Sequence, residues 1–207
     1  MTAGLRATLL GTGSPMPDPD RCGPSTLVEL DGERFLVDAG SASATGWRGV
    51  ASVPCSGRVC CSPTTTPTTP STSAPVRLAL DRRPDRAVRG VGPAGTRKQI
   101  ELLQEYPQWD FDVRRAKARD RPLPTMLVTE FEDGRILDVG GVRVSTFVVD
   151  HGHVKPAFGF RFEGAGRAIV VSGDTCPCEN LVRWSHGADC LIHECSREAA
   201  ERQVFLP

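Results

Sequence analysis

The sequence predicts an α/β fold in which two β-sheets pack together and helices cover their outer faces. Short apolar strands recur in both halves of the chain, turns rich in Gly and Pro separate them, and helical segments follow several of the turns. With 207 residues, of which 39% are hydrophobic, the chain is long enough to bury one substantial core. We therefore predict a single domain over residues 1–207.

Strands dominate the predicted secondary structure. Apolar and β-branched runs bounded by turn residues place them at 6–10, 26–30, 34–38, 126–131, 135–139, 142–149, 157–163 and 168–172, with a further buried strand at 189–193. Asp31-Gly32, Asp133-Gly134 and Gly140-Gly141 are hairpin or turn signals between neighbouring strands.

Helices are predicted at three places. Thr96 follows a turn that contains Gly and Pro, and it can cap a helix that runs to Tyr106. In this helix Ile100, Leu102 and Leu103 are expected to face a core. The other two helices are expected at 178–186 and 196–202.

Composition and charge limit the classes of protein that fit. Lys plus Arg and Asp plus Glu both number 25, so the net charge gives no argument for binding nucleic acid or an anionic membrane. The start of the chain does not resemble a signal peptide and no segment resembles a membrane span, which predicts a cytoplasmic protein with reduced thiols. Cys190 and Cys195 are expected to be small buried residues, and Cys176-Pro177-Cys178 is a weak zinc or redox signal.

The segment 41–90 departs from the strand pattern. It is rich in Ser, Thr, Pro and Arg, and it includes Pro63-Thr64-Thr65-Thr66-Pro67-Thr68-Thr69-Pro70, which by composition is a flexible linker. A long structureless insert inside a compact domain argues against such a simple assignment. We predict that this segment is non-native or disordered.

Two motifs in the last third of the chain form half of a predicted metal site. Asp150-His151-Gly152-His153-Val154-Lys155-Pro156 and Ser172-Gly173-Asp174-Thr175 place His and Asp at strand ends, and these side chains suit zinc. No His-x-His-x-Asp-His cluster lies upstream, because the chain has four histidines and all lie in its last third: His151, His153, His186 and His193. Of these, His186 precedes Gly187 and is expected to end a helix without a metal role.

The order of these motifs resembles the metallo-β-lactamase superfamily. The resemblance covers 5–40 and 91–196 and includes Leu10-Gly11-Thr12-Gly13-Ser14-Pro15, Gly23-Pro24-Ser25-Thr26-Leu27-Val28, Leu36-Val37-Asp38-Ala39-Gly40 and Gly92-Pro93-Ala94-Gly95-Thr96, besides the two motifs above. It points to the branch that contains the transfer-RNA 3′-processing ribonuclease and arylsulfatase-like hydrolases. It implies an αββα sandwich, incomplete in this chain, with two zinc ions whose activated water attacks a phosphate or sulfate ester.

The resemblance also implies roles for individual residues. His151 would bind one zinc ion, and Asp174 would bridge both ions as the catalytic carboxylate. Asp38 would orient a ligand histidine. His193 would be a hydrogen-bonded core residue or would orient a ligand, rather than bind metal. His153 is the alternative to His151, because residues two apart share one side of a continuing strand. For Asp174 the alternative is a turn-forming role.

The remaining ligands are missing from the sequence as written. The family's Thr-His-x-His-x-Asp-His signature is expected between Gly40 and Gly92 and does not occur there. Thr codons are ACn and Pro codons are CCn, so reading one base earlier converts Thr to Tyr, His, Asn or Asp and Pro to Ser, Pro, Thr or Ala. Residues 63–69 can then become Thr-His-His-His-Ser-Asp-His, after an apolar strand at 60–62. We hypothesise two compensating frameshifts, and a genuine Thr/Pro linker is the alternative.

The end of the chain also departs from the family pattern. The resemblance implies a last ligand histidine beyond Pro207, so the chain is expected to be truncated. With these ligands absent, we expect weak or absent zinc binding and impaired hydrolysis.

Three functions stay open on these grounds. The first is a zinc-dependent hydrolase of phosphodiester or sulfate esters, the second a non-catalytic remnant or binding module, and the third a transfer-RNA 3′-processing endoribonuclease. No clear Gly-rich basic arm for transfer RNA is evident, which favours the arylsulfatase-like hydrolase. The expected partner is a small-molecule ester or phosphodiester substrate, nucleic acid is not supported by charge, no membrane is expected, and a homodimer is left open.

Overall fold

The computed structural model of the chain describes residues 4–13, 20–30, 32–38, 59–61, 88–105, 126–134 and 136–194. Within them the elements are β1 (Arg6–Gly11), β2 (Ser25–Leu30), β3 (Glu33–Val37), β4 (Val59–Cys61), β5 (Val88–Pro93), α1 (Thr96–Glu105), β6 (Met126–Phe131), β7 (Ile136–Val139), β8 (Val142–Val148), β9 (Phe158–Gly164), β10 (Arg167–Val171), α2 (Glu179–Ser185) and β11 (Cys190–Ile192). Each predicted strand is present to within one residue at either end.

The strands form two sheets. The first has the order β1-β2-β3-β4-β5-β6, with antiparallel pairing from β1 to β3 and parallel pairing from β3 to β6. The second has the order β11-β10-β9-β8-β7 and is antiparallel except for the β10–β11 pair. The predicted hairpin between β2 and β3 is confirmed, and Gly32 there has a φ of 85°, which glycine adopts without strain.

The main core lies between the two sheets. Phe35 of β3 packs on Phe162 of β9 with 5.4 Å between ring centroids, and Phe131 of β6 meets Phe158 edge-on at 5.0 Å. The inward side chains recur at every second position of each strand, as in Val28, Leu30, Phe35, Val37, Val142, Val144, Phe158, Phe160 and Phe162. The predicted packing of two sheets is therefore confirmed.

Helices lie on the outer faces of both sheets. In α1, Ile100 is buried and its Cδ1 lies against Gly90 of β5, where an added Cβ would be only 3.3 Å away. In α2, Leu181 is buried, and Trp184 stacks on Phe147 of β8 with 5.3 Å between ring centroids. The described residues thus form the αββα arrangement. None of their helices has the length and apolarity needed to cross a bilayer.

The N-terminus of α1 is capped differently from the prediction. The Thr96 hydroxyl donates to the Pro93 carbonyl at 2.7 Å, and Thr96 is itself the first residue of α1 rather than its N-cap. The cap is the Glu130 carboxylate of β6, whose Oε1 accepts from the backbone N–H groups of Gly95 and Arg97, both at 2.9 Å. A carboxylate at this end also interacts favourably with the helix dipole.

Two burial predictions are wrong. Leu102 is 50% exposed, because two steps along a helix turn it about 200° away from the buried Ile100. The strand β11 and its residue Cys190 are predicted to be buried, but the strand lies at the edge of its sheet, where Cys190 is exposed and Leu191 is 44% exposed. The Leu103 side chain, Cys195 and the predicted helix at 196–202 lie outside the described residues.

Only short parts of the segment 41–90 belong to the described residues, namely β4 and the first residues of β5. The rest of this predicted non-native segment lies outside them. In β4, Cys60 is opposite Leu36 of β3 and Gly90 of β5, so the strand sits in the parallel half of the first sheet. This is where the frameshift hypothesis requires an apolar strand that leads into a metal-binding loop.

Candidate active site

Two loops at one edge of the fold carry the candidate functional residues. The histidine loop, residues 150–154, follows β8, and the aspartate loop, residues 172–176, follows β10. Asp38 directly follows β3, and Glu194 comes two residues after the end of β11. Elements from both sheets therefore contribute to the same site.

Burial dominates the electrostatics of the two aspartates. Removal from water raises the pKa of the Asp38 carboxyl well above its ordinary value, and the negative charge of Asp174 adds to this rise. Burial also raises the pKa of Asp174, the charge of Glu194 raises it further, and the charge of His151 lowers it. The site thus has an excess of carboxylates, which a bound cation would relieve.

Hydrogen bonds join the two loops to each other and to the end of β11. Glu194 Oε1 accepts from the Thr175 N–H at 2.7 Å. The Thr175 hydroxyl accepts from the Asp150 N–H at 3.1 Å and lies 2.9 Å from the Asp150 carbonyl oxygen. The Cys176 N–H donates to that same carbonyl at 2.8 Å. These hydrogen bonds therefore connect the backbone next to His151 with the backbone next to Asp174.

The two candidate ligand histidines occupy different environments. His151 is half-buried, and its charge acts on Asp174. His153 is exposed in a turn that the Val154 N–H closes by donating to the His151 carbonyl at 3.1 Å. Because β8 already ends at Val148, the two histidines do not share one side of a continuing strand. This arrangement favours His151 as the ligand.

The other two histidines, His186 and His193, lie outside the two loops. His193 Nδ1 lies 2.9 Å from Ser172 Oγ at the start of the aspartate loop, although the His193 side chain itself is exposed. His186 is the C-cap residue of α2, as predicted, and its carbonyl accepts from Arg161 at 3.2 Å. The ligand-orienting role of His193 stays a prediction.

Glu194 is the site residue that the sequence prediction missed. Its carboxylate both accepts from the Thr175 N–H and raises the pKa of Asp174. The only sequence signal is its place after His193 near a strand end, and acidic residues at such positions are usually solvated.

The described residues do not fit a centre for two zinc ions. They contain no group of three or more His, Cys, Asp or Glu side chains placed to hold a metal ion. A zinc site needs three or four protein ligands for each ion, whereas the two loops offer His151 and Asp174. Cys176 is exposed and Cys178 half-buried, both as free thiols, and neither completes such a group. In chemical terms this part of the chain is an acidic half-site.

The fold and the paired loops define the class of this protein. Residues 79–203 match the family described as Beta-lactamase superfamily domain, and the chain belongs to the metallo-β-lactamase superfamily of hydrolases. Within it, the chain is 36% identical to ribonuclease Z of Mycobacterium tuberculosis over 211 residues, which cover 97% of this chain and 72% of that protein. The resemblance seen in the motifs is therefore confirmed, in the ribonuclease Z branch.

Solved structures share the same fold. Human tRNase Z, short form, superposes with a TM-score of 0.74 at 21% identity, over 96% of this chain and 81% of that chain. Zn²⁺-bound PqqB from Methylobacterium extorquens gives a TM-score of 0.65 at 13% identity, over 91% and 72% of the two chains. At these identities the likeness concerns the fold alone. The sequence relatives favour the ribonuclease Z alternative over the arylsulfatase-like hydrolase.

Proposed function

We propose that this protein is an endoribonuclease of the ribonuclease Z type, which hydrolyses a phosphodiester bond near the 3′ end of transfer-RNA precursors. One observation carries this proposal. The histidine and aspartate loops are joined at one sheet edge, in a chain that is 36% identical to a ribonuclease Z over 97% of its own length. His151 and Asp174 are the proposed metal-binding residues, with Asp174 as the catalytic carboxylate. Asp38 and His193 are proposed to orient them.

The charge of the site sets a condition on this chemistry. An RNA phosphodiester is an anion, and Asp38, Asp174 and Glu194 form an acidic edge. There the charge of Asp174 raises the pKa of Asp38, and the charge of Glu194 raises the pKa of Asp174. An anion approaches such an edge only when cationic charge lies between them. The half-buried His151 supplies one imidazole, so cleavage at the rate of the family requires ligands that the described residues do not supply.

A second candidate function follows from this shortage of ligands. The described residues hold no group of three metal-binding side chains, and a fold can persist without its chemistry. The chain would then be a non-catalytic remnant or a binding module for RNA.

A cleavage assay on three substrates separates these functions. The purified chain is incubated with added Zn²⁺ and a transfer-RNA precursor that carries a 3′ extension, with bis(p-nitrophenyl) phosphate, or with an aryl sulfate. Asp174→Asn is the site variant. Asp138→Asn is its matched control, because Asp138 is an exposed carboxylate paired with Arg143 on the second sheet.

The proposed endoribonuclease cleaves the precursor, at a rate below that of its ribonuclease Z relatives because of the shortage of ligands among the described residues. It loses this activity in Asp174→Asn and keeps it in Asp138→Asn. Hydrolysis of the aryl sulfate without cleavage of the precursor would overturn the proposal in favour of the sulfate-ester hydrolase. Binding of the precursor with no turnover of any substrate would instead identify the non-catalytic module.

A further inference from the structure

Thr175 is a buried residue of the aspartate loop, and its side chain contacts the histidine loop. It directly follows Asp174 and is only 1% exposed, and its hydroxyl meets the backbone of Asp150, which directly precedes His151. Thr175 is therefore adjacent to Asp174 in the sequence, and its side chain contacts the residue adjacent to His151.

The hydroxyl of Thr175 has a definite hydrogen-bonding role. It accepts from the Asp150 N–H at 3.1 Å, and its one proton can be donated to the Asp150 carbonyl at 2.9 Å or to the Cys176 carbonyl at 2.7 Å, with Cys178 Sγ a more distant partner at 4.0 Å. Whichever carbonyl takes the proton, the link from Asp150 to Thr175 persists. A side chain without the hydroxyl would leave that N–H without its partner.

Further hydrogen bonds extend this link beyond Thr175 and beyond Asp150. Its backbone N–H is held by Glu194, after β11, at 2.7 Å. On the other side, Asp150 Oδ1 accepts from the Gly152 N–H at 3.0 Å and so shapes the turn that carries His151. The hydrogen bonds thus run from the end of β11 through the aspartate loop into the histidine loop.

We propose that Thr175 is a positioning residue, whose hydroxyl holds the histidine loop and the aspartate loop in one fixed arrangement. Its importance for catalysis rests on the proposed function. The positioning itself does not, because it is a property of the hydrogen bonds between the loops. Thr175 acts through Asp150 and the residues beside it, without contacting the substrate.

Amide hydrogen exchange measured by NMR on the full chain tests this role. Thr175→Val removes the hydroxyl at nearly constant volume, and Thr175→Ser keeps the hydroxyl. Thr146→Val is the matched control, because Thr146 is also 1% exposed and donates to a carbonyl, that of Glu132 at 3.2 Å, away from the two loops. RNA cleavage is measured separately on the same samples.

In Thr175→Val the amides of Asp150 and Cys176 should exchange about tenfold faster, as expected for the loss of one buried hydrogen bond. Thr175→Ser should restore exchange to within about twofold of the wild type, and Thr146→Val should leave these amides unchanged. A Thr175→Val protein with wild-type exchange would overturn the role. A Thr175→Ser protein as fast as Thr175→Val would also overturn it, since the methyl group would then be responsible.

A measurement on the wild-type protein covers the case in which Thr175→Val does not fold. The Thr175 hydroxyl proton should exchange slowly enough to be observed and should show a cross-relaxation peak to the Asp150 amide. Absence of that peak, with the Asp150 amide resolved, would overturn the inference. If the loops are coupled but no RNA is cleaved, the proposed function fails while the positioning role stands.

Discussion

Asp174 raises the pKa of Asp38 although the two residues follow strands of different sheets, β10 and β3. The aspartate loop therefore reaches across the boundary between the sheets and brings two carboxylates together at one edge. Like charges in such a place cost free energy unless a proton or a cation neutralises them. A cation bound at this edge would neutralise the pair, although the described residues contain no group of three or more side chains placed to hold a metal ion.

The first prediction concerns zinc. The protein with this sequence should not bind two zinc ions tightly, because the part of the chain that the structure describes offers His151 and Asp174, which are too few ligands for two ions. Isothermal titration with Zn²⁺ should show at most weak binding. His151→Ala should abolish any such binding, and His186→Ala should not, because His186 is the C-cap residue of α2. Tight binding of two ions to the wild-type protein would contradict the prediction.

The second prediction concerns the coding DNA of the segment 63–69. Under the frameshift hypothesis, Thr64, Thr66 and Thr69 become His when the preceding codons end in C. Sequencing the gene should therefore find C as the third base in the codons of Pro63, Thr65 and Thr68. Any other base at these three places would remove the corresponding histidine and leave the Thr/Pro linker as the explanation.

The third prediction concerns Gly159, which pairs with Phe147 across β8 and β9. Gly159→Ala should destabilise the protein by about 1–3 kcal/mol, because the added methyl would overlap the buried Phe147 ring that stacks on Trp184. Chemical denaturation measures this change. In a Phe147→Leu background the cost should shrink, and an equal cost in both backgrounds would show that the ring is not the obstacle.

The fourth prediction concerns Glu29, which pairs with Arg34 at 3.0 Å and also with Arg6. Burial raises the pKa of Glu29, but hydrogen bonds from Arg6 and Arg34 outweigh it and leave the pKa below its ordinary value. The folded state therefore favours the charged carboxylate. The resulting stability is present above the pKa of Glu29 in the unfolded chain and is lost as the pH falls through the folded value.

Glu29→Gln should accordingly lower the free energy of unfolding by about 1 kcal/mol at pH 7, a modest amount because Arg6 is largely exposed to solvent. The difference between the two proteins should vanish in acid. Denaturation curves recorded across the acidic range check this, with Glu132→Gln as an exposed control. A difference that grows as the pH falls would contradict the assigned sign.

Much of this fold could be predicted because strand and turn signals are local. The alternation of apolar residues in β8 and β9, and the glycines in the turns, concern neighbours along the chain, and the predicted strand ends agree with the structure. The capping of α1 could not be predicted in this way. Glu130, which caps it, is 35 residues away from Gly95, and only the pairing of β5 with β6 brings them together.

The candidate site shows the same division. The sequence by itself determined where the strands lie, which loops carry His151 and Asp174, and to which superfamily the chain belongs. Only the tertiary structure decided that Glu194 belongs to the site, that the charge of His151 acts on Asp174, and that Thr175 joins the two loops. The physical reason is that these contacts depend on the order of strands in the sheets and on the packing between sheets, which no pattern of adjacent residues records.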